Sequence, residues 1–269
     1  HNKSCFTIEK SSVSEILCAI ETKQTILVDT ATSLYTLQFL GPPVTFGVNL
    51  ISENTSIRSA TAAVAVEDSV FWMGLNDFYI YTGAVQKLPC TVRDFVFNDF
   101  NYQEAQKVFA SANAGFSEIW WFYPSASSSE IDRYVIFNYE QKIWYVGSLT
   151  RTAWIDHGVS EFPIAASSDG YLYNHETGND DGSTNHASAI TAHIESSQID
   201  IGDGDKFSFI SRMIPDLTFR NSGNSSDAIM TLTTRNAPGR QYLRNDATTG
   251  RHSASVPIEQ FKQQANVRQ

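Results

Sequence analysis

VFWMGLNDFYIYTG (residues 70–83) is the stretch that decides the fold. An apolar run, Val70 to Met73, meets a turn at Asn76 and Asp77. A Tyr-rich run follows and stops at Gly83. Two short runs of aromatic and branched residues around an Asn/Asp turn read as an antiparallel hairpin. The phrase returns as YVIFNYEQKIWYVG (134–147) and as PIAASSDGYLYNHETG (163–178), and more loosely as TILVDTATSLYTLQFLG (25–41). Copies of a small sheet unit are the building material of β-propellers and solenoids, because each copy buries its faces only against its neighbours. The intervals between copies are uneven, so the pattern predicts an irregular propeller-like array.

Working outward, short alternating runs at 6–8, 16–20, 25–28 and 34–39 read as successive antiparallel strands. Gly41-Pro42-Pro43 is punctuation that ends this unit, and the polar stretch 44–63 reads as a long connection. The single helix expected is YQEAQKVFASA (102–112). Asn101 or Asp99 caps it, Glu104 sits in its first turn, and Ala105, Val108 and Phe109 share one face. Beyond Gly178 the texture changes. Runs at 190–194, 198–201, 206–210, 217–220, 229–234 and 255–258 alternate more cleanly, as the strands of a β-sandwich do. The expected fold is therefore all-β. A propeller-like portion (residues 1–185, incomplete at its N-terminus) precedes a sandwich-like portion (residues 186–269, incomplete at its C-terminus), with one short helix.

Composition agrees. Aromatic residues make up 12% of the 269 residues and charged residues 18%, which suits a Tyr/Phe-packed β protein. A net charge of −10 argues against a nucleic-acid binder that grips phosphates with a Lys/Arg surface. Three cysteines, Cys5, Cys18 and Cys90, are too few and scattered for a disulfide framework or a zinc site, and predict reduced thiols. A Cys5–Cys18 pairing across neighbouring strands remains open. The first residues, HNKSCFTIEK, lack the charged and apolar regions of a signal peptide and read as the middle of a longer protein.

HIESSQIDIGDGDKFSFISRMIPDLTF (193–219) carries two alternating runs around a Gly-Asp-Gly-Asp turn. Together with DGYLYNHETG (169–178) and DFVFNDFNYQEAQKVFA (94–110), it gives most of the chain, from about residue 66 to residue 261, a resemblance to a known family. The text resembles the tail nozzle proteins of short-tailed bacteriophages, also called tail tubular protein B or packaged-DNA stabilisation proteins. The resemblance implies a virion structural protein with no enzymatic turnover and no cofactor. It implies a homohexameric ring in the virion tail, assembled in the host cytoplasm and attached below a tail adaptor protein. Double-stranded DNA would be retained above the ring and would leave through its channel without sequence-specific binding; the host cell surface is a further possible partner. An acidic channel wall would repel phosphates and let the genome slide.

Candidate sites are sparse. Asp200, Asp203 and Asp205 offer carboxylates to Ca²⁺ but lack the bidentate acid of an EF-hand loop, and a hairpin turn is the better account. His157, His175, His186 and His193 fall in no zinc-binding spacing. A propeller glycosidase would need paired carboxylates, for which Asp94, Asp99, Asp132 and Asp156 are candidates, with Trp120, Trp121, Trp144 and Trp154 as sugar platforms. In Trp120-Trp121-Phe122-Tyr123, strict alternation should turn at least one ring outward. The interface residues expected are thus Trp120 and Trp121, with Arg212, Asp216 and Arg220, which read first as a structural ion pair and at a subunit boundary would set register between protomers. The competing function is a carbohydrate- or receptor-binding β protein of the tail tip.

Overall fold

A computed structural model describes residues 15–23, 25–53, 55–178, 194, 196, 227–233 and 251–257. The chain is all-β and divides into two compact units, His1–Ala189 and Ile190–Gln269.

Among the described residues of the first unit four sheets follow one another, each a simple antiparallel meander. Sheet 1 contains β1 (Ile16–Glu21), β2 (Ile26–Thr30), β3 (Ser33–Phe39) and β4 (Phe46–Glu53). Sheet 2 contains β5 (Ala63–Val66), β6 (Ser69–Met73), β7 (Phe78–Tyr81) and β8 (Val85–Leu88). Sheet 3 contains β9 (Phe109–Asn113), β10 (Glu118–Tyr123), β11 (Arg133–Asn138) and β12 (Ile143–Ser148). Among the described residues sheet 4 has three short strands, β13 (Ala153–Ile155), β14 (Ile164–Ala166) and β15 (Leu172–Asn174). The first strands of consecutive sheets lie side by side, β1 by β5, β5 by β9 and β9 by β13. That is the blade order of a propeller, in which each meander starts at the inside and works outward.

Because the sheets pack face to face, a central strand is buried on both sides. In β10 the residues Ile119, Trp121 and Tyr123 join the main core with Phe71, Phe78 and Phe137, while Trp120 and Phe122 form a second cluster with Ile136. Trp120 is 8% exposed and Trp121 0%. The expectation of an outward ring is therefore corrected: alternation sends the two Trp side chains to opposite faces, and both faces are covered. Trp121 meets Phe78 of sheet 2 at 4.9 Å between ring centroids, and Trp120 stacks on Trp154 of sheet 4 at 5.2 Å.

Two local expectations also change. Residues 46–53, placed in a connection, form the edge strand β4, and the Gly41-Pro42-Pro43 punctuation lies in the β3–β4 hairpin loop. An edge strand is solvated along one side, so it needs no continuous apolar run. The helix expected at 102–112 is a 3₁₀ segment, Tyr102–Lys107. Asn101 does cap it, accepting from the Gln103 backbone N–H at 3.0 Å. Val108 is then extended and β9 begins, because 109–113 pair antiparallel with β10 on one side while the Ala110 N–H donates to Thr61 O on the other. A short α-helix instead occupies Arg93–Asn98 (α1), placing Val96 and Phe97 in the core.

In the second unit β16 (Asp227–Thr233) pairs antiparallel with β17 (Arg251–Pro257), from Asp227 opposite Pro257 to Thr233 opposite Arg251. The strands expected at 6–8, 198–201, 206–210 and 217–220 lie outside the described residues, as does 190–194 apart from Ile194, which is in no strand.

Candidate functional site: a carboxylate and aromatic cleft on sheet 3

Register builds the site. Asn113 pairs with Glu118 across the β9–β10 hairpin, Trp120 with Ile136, Ile136 with Tyr145, and Tyr134 with Gly147. Since paired residues share a face, these side chains lie on the side of sheet 3 that turns toward sheet 4. Sheet 4, with strands of three residues, covers part of that side through Trp154, which packs on Trp120 and Phe122. A cleft of about 350 Å³ remains, lined by Phe116, Glu118, Trp120, Tyr134, Ile136, Tyr145, Val146 and Glu176.

Its polar groups are held in place. Trp120 Nε1 donates to Glu118 Oε2 at 2.9 Å, and Asn113 Nδ2 donates to Glu176 Oε1 at 3.0 Å. Asn113 is 1% exposed. Burial pushes the Glu118 carboxyl above its ordinary range; the charge of Glu176 adds to this, while the hydrogen bonds of Trp120 and Asn113 oppose it. Gly147 is required where it stands, because a Cβ there would run into the Tyr134 ring and its hydroxyl.

Glu176 arrives from DGYLYNHETG, and the rest of that phrase locks sheet 4. Asp169 accepts from the Tyr171 backbone N–H at 3.0 Å and from the Tyr173 hydroxyl at 2.6 Å, across a turn in which Gly170 has φ +85°. Arg151 lies over the Tyr173 ring, 4.3 Å from its centroid, and its Nε donates to His175 Nε2 at 2.9 Å. Desolvation first, and then the neighbouring guanidinium, hold His175 down to about 4, so it is the neutral acceptor this bond needs. Asp156 accepts from the Ala114 backbone N–H at 2.9 Å, a second tie between sheets 3 and 4.

The four aspartates considered as a sugar-cleaving set each serve local structure. Asp94 pairs with Arg93, Asp99 with Arg133, and Asp156 with Ala114 and His157. Asp132 accepts from the Ser125 backbone N–H and hydroxyl. The cleft carboxylates are Glu118 and Glu176 instead, a pair that sequence reasoning missed. They are far apart in the chain, and only the hairpin partner Asn113 links them. Among the four tryptophans, Trp120 and Trp121 are buried, while Trp144 and Trp154 pack into ring stacks. Arg212, Asp216 and Arg220, the Asp200–Asp203–Asp205 group, His186, His193 and Cys5 lie outside the described residues. Cys18 and Cys90 are free thiols, and no group of three or more His, Cys, Asp or Glu residues able to hold a metal occurs among the described residues.

A buried carboxylate sits elsewhere, on sheet 1. Asp29 is 2% exposed, lies opposite Cys18 across the β1–β2 pair, and has no hydrogen-bond partner on Oδ1. Burial raises its carboxyl to about 7; burial, and then the charge of Asp29, raise the Cys18 thiol to about 12.

No protein-family model matches the chain, and no curated protein sequence matches it.

Proposed function

We propose that this chain is a virion structural protein, a component of the tail nozzle of a short-tailed bacteriophage. It forms a homohexameric ring below the tail adaptor, helps to retain packaged DNA, and guides it out at ejection. The supporting observation is the use made of DGYLYNHETG, part of the text that carries the resemblance. Asp169, Tyr173, His175 and Glu176 all make hydrogen bonds that fix sheet 4 or tie it to sheet 3. A phrase spent on architecture suits a part whose work is mechanical. A heterologous ring also needs rigid lateral surfaces that meet and close, and stacked meanders supply rigid ones.

The mass of the full-length protein, measured alone and with its adaptor, tests this. A species of six protomers under either condition supports the nozzle. Monomers under both would overturn it. The competing tail-tip reading predicts binding on a panel of cell-surface glycans, whereas the nozzle reading predicts none.

A further inference from the structure

The cleft on sheet 3 has a chemistry that the nozzle reading does not use. Glu118 and Glu176 both face it, and among the described residues neither has a Lys or Arg ion-pair partner. Their fixed partners are neutral donors, the Trp120 indole and the Asn113 amide. These orient the carboxylates and leave their charge uncompensated. Beside them the lining is apolar, made by the paired Ile136 and Tyr145.

We propose that this cleft binds a small aliphatic diamine or polyamine, with ammonium groups on Glu118 and Glu176 and the methylene chain along Ile136 and Tyr145. A cation placed there relieves the repulsion between the two carboxylates and gains charge-assisted hydrogen bonds from both. The nearby ring of Tyr145, 41% exposed, adds cation–π attraction. The volume stands at the small end of small-molecule sites, which suits a short aliphatic cation. A neutral sugar fits less well. Sugars stack on open ring faces, and Trp120 has its ring against Tyr134 at 4.9 Å and Trp154 at 5.2 Å. The proposal is independent of the nozzle reading, since an aliphatic cation can bind a monomer or a ring.

Titration calorimetry of the whole chain with 1,4-diaminobutane, and with 1,4-butanediol as its uncharged counterpart, tests it. The expected result is saturable one-to-one binding of the diamine and none of the diol. Glu176→Gln still accepts from Asn113 but carries no charge, and should weaken diamine binding about tenfold or more. Glu21→Gln, an exposed acid on sheet 1, should leave binding unchanged and so separates the site from the general acidity of the chain. If Glu176→Gln does not fold by near-ultraviolet circular dichroism, Tyr145→Ala on the exposed edge strand replaces it, with a several-fold weakening expected. Equal binding of diol and diamine, full affinity in the cleft variant, equal losses in Glu21→Gln, or a neutral glycan competing for the cleft would each overturn the proposal.

Discussion

The contact between sheets 2 and 3 and the regions that flank it, sheets 1 and 4, are built on different principles. Between sheets 2 and 3 the interface is made of rings: Phe78 meets both Trp121 and Trp144 at 4.9 Å, and Phe71 meets Phe137 at 6.2 Å. Two of its indoles are bonded, Trp121 donating to Ala62 O at 3.1 Å and Trp144 to Pro89 O at 2.9 Å, while the buried Trp72 Nε1 and Tyr123 hydroxyl have no partner but carry no charge near neutral pH. Sheet 1 instead buries an unpaired carboxylate, Asp29, and sheet 4 is secured by a neutral histidine under an arginine. The centre should therefore be insensitive to pH and expensive to cut. The flanks should respond to protons, and in opposite directions.

The largest effect is expected at the centre. Trp121→Ala should cost about 3–5 kcal/mol by denaturant unfolding. Trp154→Ala, at the smaller contact of sheets 3 and 4, should cost roughly 1–3 kcal/mol. Equal losses would remove the distinction between centre and flank.

Asp29 comes next. Its folded value, raised to about 7, makes protonation favour the folded state. Its stabilising contribution is full below the ordinary carboxylate range near pH 4 and is lost as pH rises through about 7. The span corresponds to at most roughly 4 kcal/mol. Asp29→Asn should flatten stability between pH 4 and 8, measured as unfolding midpoints across that range. An unchanged slope would mean that the carboxylate is compensated.

Gly147→Ala should cost about 1–3 kcal/mol, because the Tyr134 ring packed on Trp120 must move. The near-ultraviolet dichroism of the aromatic cluster should change with it. The smallest effect belongs to His175→Gln, about 1 kcal/mol at neutral pH for one impaired hydrogen bond. Here the sign is reversed. The folded value is depressed to about 4, so the contribution is present above the ordinary histidine range and lost as pH falls toward 4. The wild-type chain should therefore lose more stability on acidification than the variant.

Much of this was legible in the sequence, and the failures have physical reasons. The recurring phrase located β6 and β7, β11 and β12, β14 and β15, because a hairpin is local and its turn residues announce it. Strand β4 escaped although Phe46, Val48 and Leu50 alternate, because Gly41-Pro42-Pro43 before it reads as the end of the unit, whereas it forms the hairpin loop. The segment 102–112 misled because Ala105, Val108 and Phe109 fit one helical face, while the pairing of β9 with β10 overrode that preference. Trp120 and Trp121 were read as a one-faced strand; nothing within the run shows that neighbouring sheets cover both sides. Glu118 and Glu176 could not be joined by spacing, because a cleft made from two sheets is a property of their stacking. His175, in no zinc-binding spacing, serves instead as the acceptor for Arg151, a contact between residues 24 apart that spacing does not reveal.

Electron microscopy of the full-length protein, alone and mixed with its tail adaptor, tests the central proposal most directly. A six-fold ring with an axial channel, the meander sheets of residues 16–174 repeated in each protomer, is the predicted image. Isolated monomers in both preparations would contradict the nozzle reading.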